Sequence, residues 1–398
     1  MSSVARSLTQ RRSTSSRLIT AVCSIAMAAT LVGGVVQSPL AGASGVAHNP
    51  NHVGFRVDAS TNPSATANAL SGVTCLNANF CIAVGFYVIR STDKTLIEKW
   101  NGLHWITSVS TNPSSTIDYL AGIACAKVTL CFAVGSEQVG PTQLTLIEKW
   151  DGTAWTTSTS TNPGDSASLT SVSCPKANFC MAVGSQHVNG VSRTLIEKWN
   201  GASWTTSPST NVGAKGDGLL GVSCTASNFC MSVGTRTAGG FQRTLIERWN
   251  GARWTTSTSA NPGVENLLSS VSCATAQFCE TVGNQVRGAG TTTLVEQWTG
   301  TAWKTAASAN PNFHSFLWGV SCPRTRVCEA VGITQSGASN RTLVEKWNGA
   351  RWTTTGSVNP SSKDGFNGVA CSSLTLCKPV GYEEVGSGVY DSLIERGS

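Results

Sequence analysis

Past residue 52 the chain is written in short stretches where Val, Ile, Leu, Thr and Trp alternate with polar residues. Each stretch is closed by Gly, Asn or Pro, and none sustains a helical period. One complete set runs Leu169-Thr-Ser-Val-Ser-Cys174, Phe179-Cys-Met-Ala-Val-Gly184, Thr194-Leu-Ile-Glu-Lys-Trp199 and Asn200-Gly-Ala-Ser-Trp204-Thr-Thr. Alternation bounded by turn residues predicts four strands, termed A to D, with no helix between them. The set then recurs. The first cysteines of successive Cys-x5-Cys pairs lie 50, 49, 50, 49, 49 and 49 residues apart, so the chain holds seven repeats. Four strands in about 49 residues is the content of one propeller blade, and propellers use four to eight of them.

The ends of the repeat array carry the next expectation. Repeat 7 stops at Leu393-Ile-Glu-Arg396, after strand C, and lacks the Trp-Asn-Gly-x-x-Trp that follows elsewhere. The missing strand stands at the other end, where Phe55-Arg-Val-Asp-Ala-Ser60-Thr-Asn-Pro63 aligns with Trp105-Ile-Thr-Ser-Val-Ser110-Thr-Asn-Pro113. The pattern therefore predicts an all-β, seven-bladed β-propeller with four strands per blade. Its N-terminal strand, around 52–59, pairs with Leu393–Arg396 to complete the last blade. An open array would leave unpaired edges that need caps.

The cysteines add a compartment. All but Cys23 form the repeated pairs Cys75/Cys81, Cys125/Cys131, Cys174/Cys180, Cys224/Cys230, Cys273/Cys279, Cys322/Cys328 and Cys371/Cys377. Even number and uniform spacing predict disulfides that bridge strands A and B of one repeat. Each small loop stabilises by about 2 kcal/mol on the chain-entropy model. Zinc is the rival reading, but the pairs lack the short spacing and nearby histidines of zinc sites.

The N-terminus agrees with export. Arg6, Arg11, Arg12 and Arg17 precede an apolar run from Leu18 to Val36, then Pro39 and the small-x-small triplet Ala41-Gly42-Ala43. This predicts a signal peptide over 1–43, a linker over 44–51 and the propeller over 52–398. The alternative is a retained N-terminal anchor with the propeller facing outside. Arg11-Arg12 is followed by Ser-Thr-Ser, and Cys23 follows Val22, so neither a twin-arginine nor a lipoprotein signal is expected. Removing the four arginines of this segment lowers the net charge from +7 to +3. Such a balance predicts no nucleic-acid partner. No membrane contact after cleavage, no cofactor and no metal are expected, and the protein is expected to be monomeric.

Every tryptophan but Trp318 lies in a Trp-x4-Trp pair around Asn-Gly or a related turn, from Trp100/Trp105 to Trp347/Trp352. Asn-Gly suits a tight hairpin, and the flanking rings are expected to pack between blades. Glu98, Glu148, Glu197, Glu247, Glu296, Glu345 and Glu395 hold one place in each repeat, followed by Lys or Arg except at Gln297. Adjacent strand residues face opposite ways. The expectation is a structural acid that meets a Lys or Arg across a blade interface, with seven equivalent ligand sites as the rival.

The Val-Ser-Cys-x5-Cys-x-Ala-Val-Gly and Leu-Ile-Glu-Lys-Trp-Asn-Gly-x-x-Trp-Thr units resemble a repeat of secreted bacterial β-propeller proteins of mostly unassigned function, over essentially residues 53–396. More distantly the chain is similar to kelch and sialidase-type (Asp-box) propellers. Asp151-Gly152-Thr-Ala-Trp155 sits where an Asp-box would. The Asp-box serine is missing, most repeats carry Asn there, and Gly85 and Gly184 stand alone where kelch has a Gly pair. The resemblance implies the fold and transfers no active site.

In a four-stranded blade the A–B and C–D turns share one end, which here repeats almost unchanged. The B–C and D–A turns share the other, which varies. B–C hairpins read Phe86-Tyr87-Val-Ile-Arg90, Ser185-Gln-His187 and Thr235-Arg236-Thr in different repeats. D–A segments carry Asp118-Tyr119, Asp165, Asp217, Glu265, His314-Ser-Phe316 and Lys363-Asp364. Variable loops on a rigid scaffold are where sites collect. Trp318 breaks the repeat where the others have Ser71, Ala121, Thr170, Leu220, Ser269 and Asn367. An indole lining the central channel beside His314 and Phe316 offers a stacking surface, and filling a local gap is the alternative. The expected ligand site is therefore Trp318, His314, Phe316, Asp118, Tyr119, Asp217, Asp364, Tyr87, Arg90 and His187, with no catalytic residue assigned. No nucleophile, zinc or phosphate-loop motif is present. The expectation is a secreted, non-catalytic binding or scaffold propeller whose partner is a glycan or a cell-surface or extracellular protein. A glycoside hydrolase or lyase of sialidase-like type is the alternative, with paired carboxylates supplied by the D–A acids.

Overall fold

The computed structural model describes residues 55–213 and 216–397. The expected signal segment, the linker and His52–Gly54 lie outside the described residues. What is described is entirely strand and turn. β1 (Phe55–Val57) comes first, then β2 (Ala67–Asn77), β3 (Phe80–Ile89), β4 (Thr92–Trp100) and β5 (Trp105–Thr107). The same four strands recur as β6–β9 over 118–157, β10–β13 over 166–206, β14–β17 over 217–256, β18–β21 over 266–306 and β22–β25 over 315–355. Repeat 7 supplies three, β26 (Asp364–Cys371), β27 (Cys377–Gly386) and β28 (Val389–Gly397).

Repeats 2 to 6 each form an antiparallel four-stranded sheet in sequence order. Repeats 1 and 7 share an eight-stranded sheet, joined through one parallel pair, Ala67 with Tyr390. Four other seams hold the same kind of parallel bridge in isolation, at Asp93–Ile117, Ser192–Gly216, Thr291–His314 and Asn340–Lys363. β1 pairs antiparallel with β28, matching Phe55 to Gly397 and Val57 to Glu395. The first strands of consecutive repeats lie side by side, β2 by β6 and so on to β22 by β26, and β26 lies against β2.

Each inner strand carries a bulge at one place, between Leu70 and Gly72, Leu120 and Gly122, Leu169 and Ser171, Leu219 and Gly221, Leu268 and Ser270, Leu317 and Gly319, and Phe366 and Gly368. Opposite the bulge stands the glycine of the Val-Gly motif. A Cβ at Gly85 would lie 2.0 Å from the Ala69 carbonyl oxygen, and one at Gly332 would lie 2.0 Å from that of Phe316. The extra residue bends the strand over its partner, and only glycine leaves room.

The core lies between sheets, not within one. Ile82, Val84 and Ile97 of repeat 1 pack with Leu120, Leu146 and Trp150 of repeat 2, and equivalent clusters join the following repeats. Among the described residues no helix is long and apolar enough to cross a membrane.

All the expected disulfides are present, Cys75–Cys81, Cys125–Cys131, Cys174–Cys180, Cys224–Cys230, Cys273–Cys279, Cys322–Cys328 and Cys371–Cys377, with Cα–Cα separations of 3.9–4.2 Å. Each joins strand A to strand B of one repeat. The strand-B members Cys81, Cys131, Cys180, Cys230, Cys279 and Cys328 are no more than 1% exposed, and Cys377 is buried as well. The first six each belong to a hydrophobic cluster at a seam that includes a tryptophan, such as Trp100 with Cys81 or Trp150 with Cys131, and Cys377 clusters with Phe55 and Phe366. The cause is register: Cys81, Cys131, Cys180, Cys230, Cys279 and Cys328 stand directly opposite the first tryptophan of their own repeat, so both side chains turn toward the core. These sulfurs are core staples with no surface to offer a ligand. Oxidised cysteines in this number belong to an oxidising compartment.

The repeated glutamates correct one expectation. All are fully buried at the seams, but their partners are serines, not lysines or arginines. Ser60, Ser110, Ser160, Ser209, Ser259 and Ser308 donate to the glutamate of the next repeat at 2.5–2.9 Å. Glu395 instead accepts from the Val358 N–H at 3.3 Å. The basic residue after each glutamate points the other way and lies over an aromatic ring of the next repeat. Lys99 covers Trp150, Lys149 covers Trp199, Lys198 covers Trp249 and Arg248 covers Trp298, at 4.9–5.6 Å from the centroids. The alternation of a strand forces this division: an acid facing one side has its cation on the other.

Candidate functional site

The Ser-x-Asn segment after each strand D explains how the variable end is held. Its asparagine accepts from the backbone N–H near the start of strand C: Asn112 from Thr95, Asn162 from Thr145, Asn211 from Thr194, Asn261 from Thr244, Asn310 from Thr293 and Asn359 from Thr342, at 2.7–2.9 Å. Asn62 does the same for Ser392, 330 residues away. Asn62, Asn112, Asn162 and Asn310 adopt left-handed backbone, φ 40–43°, which asparagine tolerates better than most residues.

Three of the expected ligand acids belong to this framework. Asp118, Asp217 and Asp364 are buried at the start of strand A. Each clasps its own D–A loop: Asp118 accepts from Ser114 N–H (2.9 Å), Asp217 from Gly213 N–H (2.9 Å) and Asp364 from Ser361 N–H (3.0 Å). Asn68 and Asn266 do the same in repeats 1 and 5. Lys94 of repeat 1 also reaches Asp118 at 3.3 Å. Their place on the variable end suggested solvent contact, whereas burial gives them to the loops. Tyr119 is likewise committed. Its hydroxyl donates to Ser71 across the seam at 3.0 Å, its ring meets Phe86 at 5.7 Å, and burial pushes its pKa up to about 12. Tyr87 is partly buried against the core between repeats 7 and 1.

The remaining residues separate into groups. Arg90 and His187 are exposed on the hairpins of repeats 1 and 3. His314, Phe316 and Trp318 stand together on β22 (Ser315–Arg324) and the residue before it, with His314 exposed and the two aromatic rings partly buried 6.4 Å apart. Trp318 is the bulged residue of its strand, and so are its counterparts. Together these form a belt linking neighbouring inner strands. Thr170 donates to the Leu219 carbonyl (2.9 Å), Asn367 to that of Leu70 (2.8 Å), and Ser71 receives Tyr119. Two adjacent members differ: Ser269 Oγ and Trp318 Nε1 are buried atoms without a hydrogen-bond partner in the structure. Ser269 went unselected from sequence because serine is ordinary at that place; only the bulge brings it beside the odd tryptophan. The inner edge of this indole carries an open donor, while its exposed surface is ring carbon and backbone.

Three further residues escaped sequence reasoning. Where repeats 1 to 4 place Ile82, Phe132, Met181 and Met231 into the next seam, repeats 5 to 7 place Glu280, Glu329 and Lys378, all buried. Glu280 accepts from Gln297 (2.5 Å), Glu329 lies 3.7 Å from Lys346, and Lys378 donates to Asp58 at 2.7 Å while lying 3.8 Å from the Trp100 ring centroid. Burial pushes Glu280 up to about 8 and Glu329 to about 7. These groups lie in the seams near the disulfides, away from Trp318. A cleft of about 270 Å³ beside repeat 4, lined by Val212, Arg236, Thr256 and Asn261, is separate again.

No protein-family model matches the chain, and no curated protein matches it in sequence. Solved structures do match in shape. YCF48 bound to a D1 peptide superposes with a TM-score of 0.55 at 12% identity, covering 88% of this chain and 98% of the other. YCF48 from Cyanidioschyzon merolae gives 0.53 at 12% identity, covering 87% and 98%. The GH74 xyloglucanase from Xanthomonas campestris gives 0.53 at 9% identity, covering 85% of this chain and 55% of its own. At such identities the likeness shows the β-propeller fold alone.

Proposed function

We propose that this chain is an exported, non-catalytic binding propeller of seven blades, with its ligand held at the B–C/D–A end beside Trp318. Ring closure by β1 is supported by its pairing with β28, by the Asn62–Ser392 clasp and by the contact of β26 with β2. Export is supported by the disulfides and the leader pattern. The observation that carries the site is the belt of bulged residues, where only Ser269 and Trp318 present buried donors without acceptors, next to the open ring of Phe316. A flat carbon surface backed by an unpaired donor suits a sugar ring or an aromatic side chain of an extracellular partner. Against catalysis, Asp118, Asp217 and Asp364 are buried and each accepts from a backbone N–H of its own D–A loop. Among similar folds, one is solved with a bound peptide and one is a xyloglucanase, so both ligand classes enter the test.

The experiment is a glycan and peptide array probed with the mature protein, beside a hydrolysis screen. A ligand found there should bind Trp318→Ala on the order of tenfold more weakly or worse, and Arg90→Ala equally well. A stoichiometry near seven that ignores Trp318→Ala rejects the axial site, and release of free sugar rejects the non-catalytic reading.

A further inference from the structure

The disulfide end repeats so closely that it looks inert, but its exposed side chains do not repeat. Equivalent residues of neighbouring inner strands are hydrogen-bonded: the N–H groups of Cys224, Cys273, Cys322 and Cys371 donate to Ser173, Ser223, Ser272 and Ser321 at 2.9–3.0 Å. The A–B turns of these repeats therefore share one end, and the C–D turns lie beside them, as Gly102 does by Asn79 and Gly201 by Asn178. The turns have matching lengths in nearly every repeat.

Charge is sorted by end. Lys127, Lys176, Arg253, Arg324, Arg326 and Arg351 are exposed on the disulfide end. Among the described residues the one exposed carboxylate there is Asp151, whose Oδ1 already accepts from Thr153 and Ala154. At the opposite end Glu137, Asp165, Glu265 and Glu383 stand among the arginines and offset them. The net +3 left beyond residue 43 hides this separation.

Large hydrophobic residues are exposed at both ends: Ile89, Val139, Val264 and Phe313 of the variable end sit among mixed charges, whereas those of the disulfide end accompany its cations. On the disulfide end and its rim they are Leu374 and Val57 of repeat 7, Leu76, Leu103 and Ile106 of repeat 1, and Val128 of repeat 2. Leu103 is 76% exposed. The places of Leu103 and Ile106 are filled elsewhere by Thr153 and Thr156, Ala202 and Thr205, or Ala252 and Thr255. The fold therefore does not need apolar residues there, and exposed apolar residues grouped in neighbouring repeats mark an interaction surface.

We propose that the disulfide end docks on an anionic lipid surface, with Leu374, Leu76, Leu103 and Val128 entering the headgroup layer while the cations of this end meet the lipid charges. Exposed cations accompanied by exposed apolar side chains match an anionic bilayer on both counts. A soluble polyanion matches the charge but has no layer to receive Leu103. Docked this way, the protein holds the Trp318 end outward. The expectation of no membrane contact came from the sequence, whose net charge does not show how charge divides between the two ends.

The test is co-sedimentation of the mature protein with vesicles of phosphatidylglycerol and phosphatidylcholine in equal parts, against pure phosphatidylcholine, at low and high salt. Binding is expected to the anionic vesicles and to fade with salt. Arg324→Gln/Arg326→Gln should weaken it on the order of 20-fold, from about fivefold per cation. Leu103→Thr, which installs the residue of repeat 2, should weaken it about fivefold without altering the salt dependence. Arg90→Gln/Arg287→Gln, at the other end, should leave it unchanged. No binding, equal binding to both vesicles, or loss only in the Arg90/Arg287 variant overturns the proposal. So does capture by heparin or an acidic protein with none by vesicles. None of these outcomes bears on the ligand site at Trp318.

Discussion

A single carboxyl shows how the seams work. Glu247 is fully buried, and both its oxygens accept from Ser209, at 2.8 and 2.9 Å. Burial raises its pKa to about 7, with the Ser209 hydrogen bond acting against it. A group so poised needs its shape and acceptors more than its charge. Glu247→Gln should therefore cost less than about 1 kcal/mol in urea unfolding at pH 8, since the amide oxygen still accepts from Ser209. Ser209→Ala should cost about 1–2 kcal/mol by leaving the carboxylate unpaired. If the glutamate were held by a Lys or Arg, the glutamine variant would be the worse of the two, and that order would refute the seam as described.

At the scale of an element, β1 is the strand with a task the others lack. Strand D elsewhere follows its own strand C through a short turn, whereas β1 must find β28 from the far end of the chain. It carries a distinctive ion cluster: Asp58 accepts from Lys378 (2.7 Å) and lies 3.4 Å from Arg396, where the other repeats have Ser108, Ser158, Ser207, Ser257, Ala306 and Thr355. Asp58→Ser alone leaves Lys378 buried without its carboxylate and should cost about 3 kcal/mol. Asp58→Ser/Lys378→Met restores the pairing of Met181 with Ser207-type positions in other repeats and should recover most of that loss, because a packed apolar residue replaces a buried ion at little net cost. A double variant as unstable as the single one would show that the pair contributes more than mutual neutralisation. The disulfides belong to this scale as well. They lie in separate repeats, so Cys→Ala pairs in repeats 2 and 5 should lower stability by about 2 kcal/mol each and additively together.

For the whole molecule, the seam glutamates add up to a pH response. Glu247, Glu296 and Glu329 are pushed up to about 7, and Glu280 and Glu395 to about 8, each chiefly by burial. The ordinary value is 4.5, so the folded protein binds these protons more tightly than the unfolded chain does. Their contribution is fully present below about pH 4.5 and is lost as pH climbs through 7 to 8. Tm should accordingly be at least about 5 °C higher at pH 5.5 than at pH 8.5 under fixed salt. A Tm that falls steadily on acidification over this range would contradict the burial of these groups.

The sequence by itself determined the repeat, its four strands and its disulfides, because period-two alternation, Asn-Gly turns and Cys-x5-Cys spacing are local signals carried many times over. It also marked Phe55–Pro63 as the displaced fourth strand, since those residues copy Trp105–Pro113. Partners were another matter. The glutamates of repeats 1 to 6 each meet a serine of the preceding repeat 37 or 38 residues away, and the cations beside them lie over an aromatic ring one repeat on, contacts that no spacing rule encodes. The acids of the variable end illustrate the same limit. Asp118, Asp217 and Asp364 sit beside exposed loops in the sequence, but the turn of the chain before strand A buries them and gives them to backbone N–H groups. Only the tertiary structure, by stacking inner strands in register, brought the bulged residues of neighbouring repeats into one belt and left the disulfide end with exposed lysines and arginines against one exposed carboxylate among the described residues, because side-chain direction and burial depend on which strands become neighbours.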